Sequence, residues 1–309
     1  MQLLLLEDLK KVATVVKEEG MAFFLTWRLS RMDVLKTIKM YVGGSFIRSE
    51  SGATVDYKVS GEELARVCWA SKKDFRNAVT AAQSGQKSWA SKTAYNRSQI
   101  LYRMGEMAQG KETELINLLL ETELCSEDEV AIIVQDMIDT FVYYAGWCDK
   151  YQQVMGSVNP VAAPYHNFTS PEALGVVSLI SSKKFDPVGL IDNICSILVG
   201  GNSVIALVEK EGSILLSVLA EIFHTSDLPG GVVNLLSGDP KALGQVVSEH
   251  MEVQGLSFQN EDQALYYQMR SSSVDNMKRV VGYHPGRKMS LESVLEFVEQ
   301  KTVWHPIGV

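Results

Sequence analysis

Four cysteines could act as a thiol nucleophile: Cys68, Cys125, Cys148 and Cys195. A reactive thiolate needs a base, a cation or a helix N-terminus beside it. Cys195 sits in "LIDNICSILVG", a helix-period stretch that offers neither base nor cation. There is no Cys-x-x-Cys, and three of the four have apolar surroundings, where a free thiol packs as a small hydrophobe. That usage fits a reducing compartment. His166, His224, His250, His284 and His305 are scattered without metal-ligand spacing, so no metal site is expected. The remaining candidate is "SLISSKKFDPVGLIDNICSILVGGNSVIALVEKEG", from Ser178 to Gly212. It reads as strand, turn, helix, strand, and its first turn carries Lys183, Lys184 and Asp186. Strand pairs around a helix often build a nucleotide site at that turn.

The elements that must position such a site follow from the apolar periods. "LGVVSLI", "NSVIAL", "GVVNLLSG", "VQGLSF" and "MKRVVGY" read as short strands. The helix-period stretches "PVGLIDNICSILVG", "GSILLSVLAEIFHTS", "DPKALGQVVSEHM" and "NEDQALYYQMRSS" alternate with them. This alternation predicts a parallel sheet covered on both faces. Upstream, "IKMYVGGSFIRSESG" predicts a hairpin around Gly43 and Gly44. "SKKDFRNAVTAAQSGQKSWAS" predicts a helix capped by Ser71, with Phe75, Val79 and Ala82 on one face. Two more helices are expected in "TAYNRSQILYRMGEMAQGKETELINLLLETEL", broken near Gly110. "EDEVAIIVQDMIDTFVYYAGWCDKYQQVMG" predicts one long helix that buries Ile132, Val134, Met137, Ile138, Phe141, Val142 and Ala145.

Residues 156–172 read as a linker, because three prolines, two asparagines and a histidine break any period. The expected organisation is a divergent helical segment over 1–37, a main body over 38–290 and a helix with an extended tail over 291–309. Within the body, a helical layer covers 60–155 and the parallel sheet 173–290. The apolar and basic stretch from Met21 to Leu35 has no clear period and no assignable role.

Composition narrows the function classes. The 309 residues are 46% hydrophobic, which allows one large domain or two modest ones. Net charge is -8 without a basic cluster, which argues against nucleic acid. No apolar run approaches a membrane span. The opening "MQLLLLEDLKK" turns acidic too soon for a signal peptide, so a cytoplasmic location is expected and the sequons at Asn96 and Asn167 read as chance.

The hairpin, "AVTAAQSGQKSW", "NRSQILYRMGEMAQ", "LGVVSLI" and "HTSDLPGGVVNLLSGDP", in that order, resemble the aldehyde dehydrogenases. The likeness runs from about Ile38 to Tyr283. "HTSDLPGGVVNLLSGD" and "QKTVWHPIGV" are most similar to the second, truncated and degenerate unit of family 16 in that superfamily, which follows a catalytic unit. The resemblance implies an α/β fold: a doubly wound parallel Rossmann-like sheet with an N-terminal helical layer and the catalytic lobe missing.

The family's chemistry needs a thiolate, an oxyanion donor, a base and a nicotinamide cofactor. Its thiol lies in a Gly-Gln-x-Cys stretch that this sequence does not contain. Its base lies in Glu-Leu-Gly-Gly-Lys, where this chain reads "RVVGYHPGRK", keeping Gly282 without a carboxylate. Glu292 and Glu296 come later and read as a solvated face. The oxyanion motif Trp-Asn-Phe-Pro falls on Lys183 to Asp186, so Phe185 survives and the asparagine becomes Lys184, an exposed lysine in a turn. The ribose motif Lys-Pro-x-Glu falls on Leu207 to Lys210, which places Leu207 and Lys210 at the contact positions. The pyrophosphate turn Phe-Thr-Gly-Ser falls on Phe258 to Glu261, with Asn260 at the glycine and Leu265 at the second glycine. Glu261 and Asp262 bring negative charge where phosphate would sit and read as helix caps.

No catalytic, cofactor-binding or metal residue is therefore expected, and no cofactor. The expected function is a catalytically incompetent module that serves assembly, with its own copy or with a catalytic aldehyde dehydrogenase unit as partner. An NAD(P)-dependent aldehyde oxidoreductase and a weak nucleotide-binding sensor are the alternatives.

Overall fold

The computed structural model of the chain describes residues 35–282 and 289–308. The helix expected at the N-terminus and nearly all of the Met21 to Leu35 stretch lie outside the described residues, as do Tyr283 to Lys288. The chain divides between Lys36 and Thr37 into two units, and the second holds the fold described below.

In chain order the strands and helices begin with β1 (Lys36–Ile38), β2 (Met40–Val42) and β3 (Ser45–Ile47). β2 and β3 form the expected hairpin, with positive φ at Gly43 and Gly44 between them. β4 (Thr54–Val59) and β5 (Glu62–Cys68) form a second hairpin that was not expected. The helical layer, expected from residue 60, therefore starts only at α1 (Lys72–Ala90). The alternation of Val55, Tyr57 and Val59 is a strand signal, but only Tyr57 of the three is buried, so its apolar face is thin.

Ser71 caps α1 through a reciprocal box with Asp74. Asp74 is buried and also accepts from Ser49 Oγ at 2.7 Å and Glu50 N at 3.0 Å, tying the helix start to the loop before β4. α2 (Ala94–Gly110) and α3 (Glu112–Glu121) break at Gly110 as expected. α4 (Glu127–Ala145) stops at Gly146, and a separate short α5 (Tyr151–Met155) follows, so the single long helix is two. Ile132 is 64% exposed and Val142 42% exposed, against the buried face expected of them. The inward stripe of α4 is narrower, carried by Val130, Val134, Met137, Ile138, Phe141 and Ala145.

The supposed linker is also structured. β6 (Ser157–Asn159) and β7 (Tyr165–Ala173) lie in one antiparallel sheet with the tail strand β13 (Val298–Pro306). Nine residue pairs join β7 to β13, from Tyr165 opposite Pro306 to Ala173 opposite Val298. The partner strand is remote in sequence and both faces are partly exposed, so neither periodicity nor a turn signal announces the pairing.

The core sheet is built as expected: β8 (Val176–Ile180), α6 (Pro187–Val199), β9 (Ser203–Val208), α7 (Leu216–His224), β10 (Val233–Ser237), α8 (Pro240–Glu249), β11 (Gly255–Phe258), α9 (Gln263–Ser272) and β12 (Arg279–Val281). α10 (Leu291–Leu295) leads into β13. The sheet order is β12-β11-β8-β9-β10-β2-β3, with β8 to β12 parallel and the hairpin antiparallel to β10.

Side chains on β8 and β9 alternate between two cores. Val177, Leu179, Val204 and Ala206 join α6, α7 and the helical layer. Val176, Ile180, Ile205 and Leu207 join α1, α8 and α9. Period two with both faces buried gives the near-continuous apolar strands seen in the sequence. Gly231 explains the "LPGG" entry to β10: its φ is +88°, and a Cβ there would meet Ala81 O at 2.2 Å. The helix α1 thus packs backbone against backbone on that turn.

Candidate functional site: the crevice at the sheet switch point

β8, β9 and β10 run outward in one direction from β8, and β11 and β12 in the other. The reversal between β8 and β11 is the point where open α/β sheets bind ligands, beyond the carboxyl ends of the strands. The loops there are Ser181 to Asp186 after β8, Glu209 to Gly212 after β9, and Gln259 to Asp262 after β11.

These loops are hydrogen-bonded to one another. Asn260, almost fully buried, donates its side-chain amide to Glu209 Oε1 and to Ser181 O at 3.4 Å. Glu209 N donates to Ser181 Oγ at 3.2 Å. Glu261 accepts from Ser182 Oγ at 2.8 Å and from Lys183 N at 3.0 Å. Asn260 Oδ1 accepts from Asp262 N at 3.0 Å. Asp262 caps α9 by accepting from Leu265 N at 3.0 Å, and it pairs with Lys241 at 3.0 Å. Of the two expected caps, only Asp262 is one: Glu261 reaches across the switch point to the β8 loop. Its carboxylate finds a ring of donors there that local sequence does not reveal.

The carboxyl groups respond accordingly. Burial pushes Glu261 up, but hydrogen bonds from Ser182 and the Lys183 backbone outweigh it and hold the group below its ordinary range. Asp262 is lowered by the Leu265 N–H and the Lys241 ammonium. Glu209 goes the other way, raised mainly by burial against the opposing Asn260 hydrogen bond.

The floor beneath these loops is apolar. Leu207 is fully buried in β9, and a Cβ on Gly238 would lie 2.9 Å from Leu207 Cδ1 and 3.2 Å from Leu243 Cδ1. Leu265 and Phe258 belong to the same cluster, and Phe258 packs on Tyr266 with ring centroids 5.4 Å apart. Lys184 is exposed, Phe185 is half-buried, and Asp186 caps α6 through Gly189 N at 2.9 Å. Lys210 contributes its carbonyl to Ser213 Oγ at 2.6 Å, while its side chain is half-exposed.

The structure thus brings Asn260, Glu261, Leu207 and Leu265 to one crevice and sets Lys184 on its outer rim. Sequence reasoning missed Ser181, Ser182, Glu209 and Lys241, which complete the hydrogen-bonded network. The first three each sit within two residues of a strand's carboxyl end, and that position was the available signal.

The thiols lie elsewhere. Cys68, Cys148 and Cys195 are buried, and Cys125 is half-buried. Burial raises Cys195 well above its ordinary value, with Asp192 adding to the effect. Cys148 is pushed up to about 12, again mainly by burial. Glu292 is exposed in the first turn of α10, and Glu296, half-buried, is its C-cap. Among the described residues no three His, Cys, Asp or Glu side chains form a metal-binding group, and no helix is long and apolar enough to cross a membrane.

Comparison with known proteins places this geometry in context. The profile of the aldehyde dehydrogenase family matches residues 46–290. The chain is similar to the cytosolic 10-formyltetrahydrofolate dehydrogenase of Xenopus tropicalis, at 28% identity over 273 residues, which are 85% of this chain and 30% of that protein. It is similar to the mitochondrial benzaldehyde dehydrogenase of Antirrhinum majus, at 29% identity over 252 residues, 78% of this chain and 46% of that one. An aldehyde dehydrogenase from Bacillus cereus, solved as its NAD+ complex, superposes with a TM-score of 0.73 at 25% identity, over 80% of this chain and 50% of that chain. PnpE from Pseudomonas sp. WBC-3 shares the fold, with a TM-score of 0.74 at 24% identity over 81% of this chain and 50% of that one. The chain spans half or less of the length of these relatives.

Proposed function

This chain belongs to the aldehyde dehydrogenase family, and from that premise we propose that its 309 residues form a non-catalytic module that serves assembly. The observation that carries the proposal is the crevice bridged by the hydrogen bonds of Asn260 to Glu209 and of Ser182 and Lys183 to Glu261. In the family this is where NAD(P) is held, and the residues present do not fit it. A pyrophosphate needs free backbone N–H groups at a helix N-terminus. Here Lys183 N, Asp262 N and Leu265 N are engaged by Glu261, Asn260 and Asp262. Two carboxylates repel the phosphate charge, and two unit charges about 4 Å apart interact by about 1 kcal/mol even in water. Leu207 offers a ribose no hydrogen bond.

The thiols support the same reading. A nucleophile must be deprotonated near neutral pH. Cys148, Cys195 and Cys125 are all shifted away from that state by burial.

For assembly, the three-stranded sheet β6-β7-β13 supplies the surface. Val158 is 71% exposed and Trp304 58% exposed, with Tyr165 packed edge-on to Trp304 at 5.9 Å. Exposed apolar clusters mark contact surfaces, and tryptophan is enriched at their energetic centres. The partner is a second copy or a catalytic unit of the same family.

The test is NADH production from short and long aldehydes by the purified chain, with Cys195→Ala as control. No turnover above background is expected. Turnover that disappears in the control would establish the oxidoreductase instead.

A further inference from the structure

At the other end of the parallel strands, where β8 and β9 begin, lies a cleft of about 440 Å³. Its walls include Gln86, Arg97, Tyr151, Gln152 and the Gly200–Gly201 turn. Arg97 is only 5% exposed. Its Nη1 donates to Lys92 O at 2.9 Å, and its Nε has no hydrogen-bond partner. No carboxylate among the described residues pairs with it.

A buried guanidinium without a counter-charge is costly, so its surroundings matter. α1 ends at Ala90 and α6 at Val199, and both ends border the cleft. Helix C-termini carry about half a negative charge each, which offsets part of the arginine's charge but leaves Nε bare. The titratable neighbours supply no anion. Burial raises Cys148 and Tyr151 despite the opposing pull of Arg97. Glu172 also lines the cleft, but it pairs with Lys301 at 3.0 Å. Gly201, at φ +89°, keeps the floor low: a Cβ there would come within 3.7 Å of Arg97 Nη1.

We propose that this cleft binds a small oxyanion, a carboxylate or a phosphate, seated on Arg97. Guanidinium nitrogens form a planar fork that matches two oxygens of such a group. Nη1 is committed to Lys92 and Nε is shielded from solvent, so the anion seats against the guanidinium as the cleft wall shifts to uncover the unpartnered Nε. The cleft is at the opposite end of the sheet from the closed nucleotide crevice, so this inference stands whether or not the crevice binds NAD.

The experiment is calorimetry and thermal unfolding of the full chain with inorganic phosphate and with acetate, at constant ionic strength against chloride. Saturable binding of one anion per chain is expected, with a Tm that rises and levels off. Arg97→Gln should weaken binding by about tenfold or more, and Arg97→Lys by less, since it keeps the charge and loses the fork. Gln86→Glu supplies a carboxylate within the cleft, so it should abolish phosphate binding and raise Tm in chloride. That variant decides the matter if Arg97→Gln does not fold. Phosphate and acetate indistinguishable from chloride would overturn the proposal, as would undiminished phosphate binding by the Gln86→Glu protein. An oligomer that dissociates on Arg97→Gln while phosphate never binds would also overturn it, assigning the guanidinium to a partner's carboxylate.

Discussion

The side-chain amide of Asn260 donates to the carboxylate of Glu209, joining the loops that follow β11 and β9 across the end of β8. In a nucleotide-binding sheet that space is kept for the ligand. Here two side chains and their partly buried hydrogen bond bridge it.

The chain should therefore bind no NAD. The triple variant Asn260→Gly, Glu261→Ser, Asp262→Ser removes the amide and both charges and restores backbone approach. It is expected to bind NAD with a Kd on the order of 1 mM, about −4 kcal/mol. Calorimetry on both proteins measures this, and micromolar binding by the parent would favour the sensor reading over assembly.

Glu261 is held below its ordinary pKa, so its charged form is favoured by folding. Its stabilisation is fully present above its unfolded value of 4.5 and is lost as pH falls through the lower folded value. Glu261→Gln should lower Tm at neutral pH, and the gap from the parent should close as the solution is acidified below 4.5. A gap constant across that range would show that the charge contributes nothing.

Glu209 has the opposite sign. Burial raises its pKa, so its charged form is disfavoured by folding and the chain is less stable where Glu209 is ionised. Glu209→Gln keeps an acceptor for Asn260 and removes the charge. Its Tm should exceed the parent's at pH 7, and the difference should vanish as pH drops to where Glu209 is protonated in both states. A variant less stable than the parent at pH 7 would contradict this.

Leu207 fills the crevice floor against Gly238 and Leu243. Truncation to alanine should destabilise the chain by about 2–5 kcal/mol, the usual cost of a buried leucine. Urea unfolding reads this directly. A loss well under 1 kcal/mol would mean that the floor collapses freely or is not packed as described.

Trp304 is expected to anchor the assembly surface. Sedimentation of the chain alone, and mixed with a catalytic unit of the family, should show association that Trp304→Ala weakens by at least about tenfold. A parent chain that stays monomeric at high concentration and ignores the catalytic unit would remove the basis for the assembly role.

Much of this protein is legible without coordinates because its information is local. Val176 to Ile180 and Ser203 to Val208 are apolar runs between turn residues, and burial on both faces follows from that pattern. Ser71 three residues before Asp74 announces a helix start, and Gly43-Gly44 a hairpin. The place of Leu207, Asn260 and Glu261 at or just beyond the carboxyl ends of β9 and β11 is legible too, since it depends only on where the strands end. What the tertiary structure alone decided is where non-local partners meet. The pairing of Tyr165–Ala173 with Val298–Pro306 joins segments more than a hundred residues apart and turns an apparent linker into a strand. Glu261 reads as a cap until the β8 loop is placed beside it, and Arg97 reads as one more helical arginine until two helix ends close over it. Periodicity along a chain reports which face is buried. It carries no term for the group that arrives from another part of the sequence, and hydrogen bonds between buried polar groups depend on that arrival.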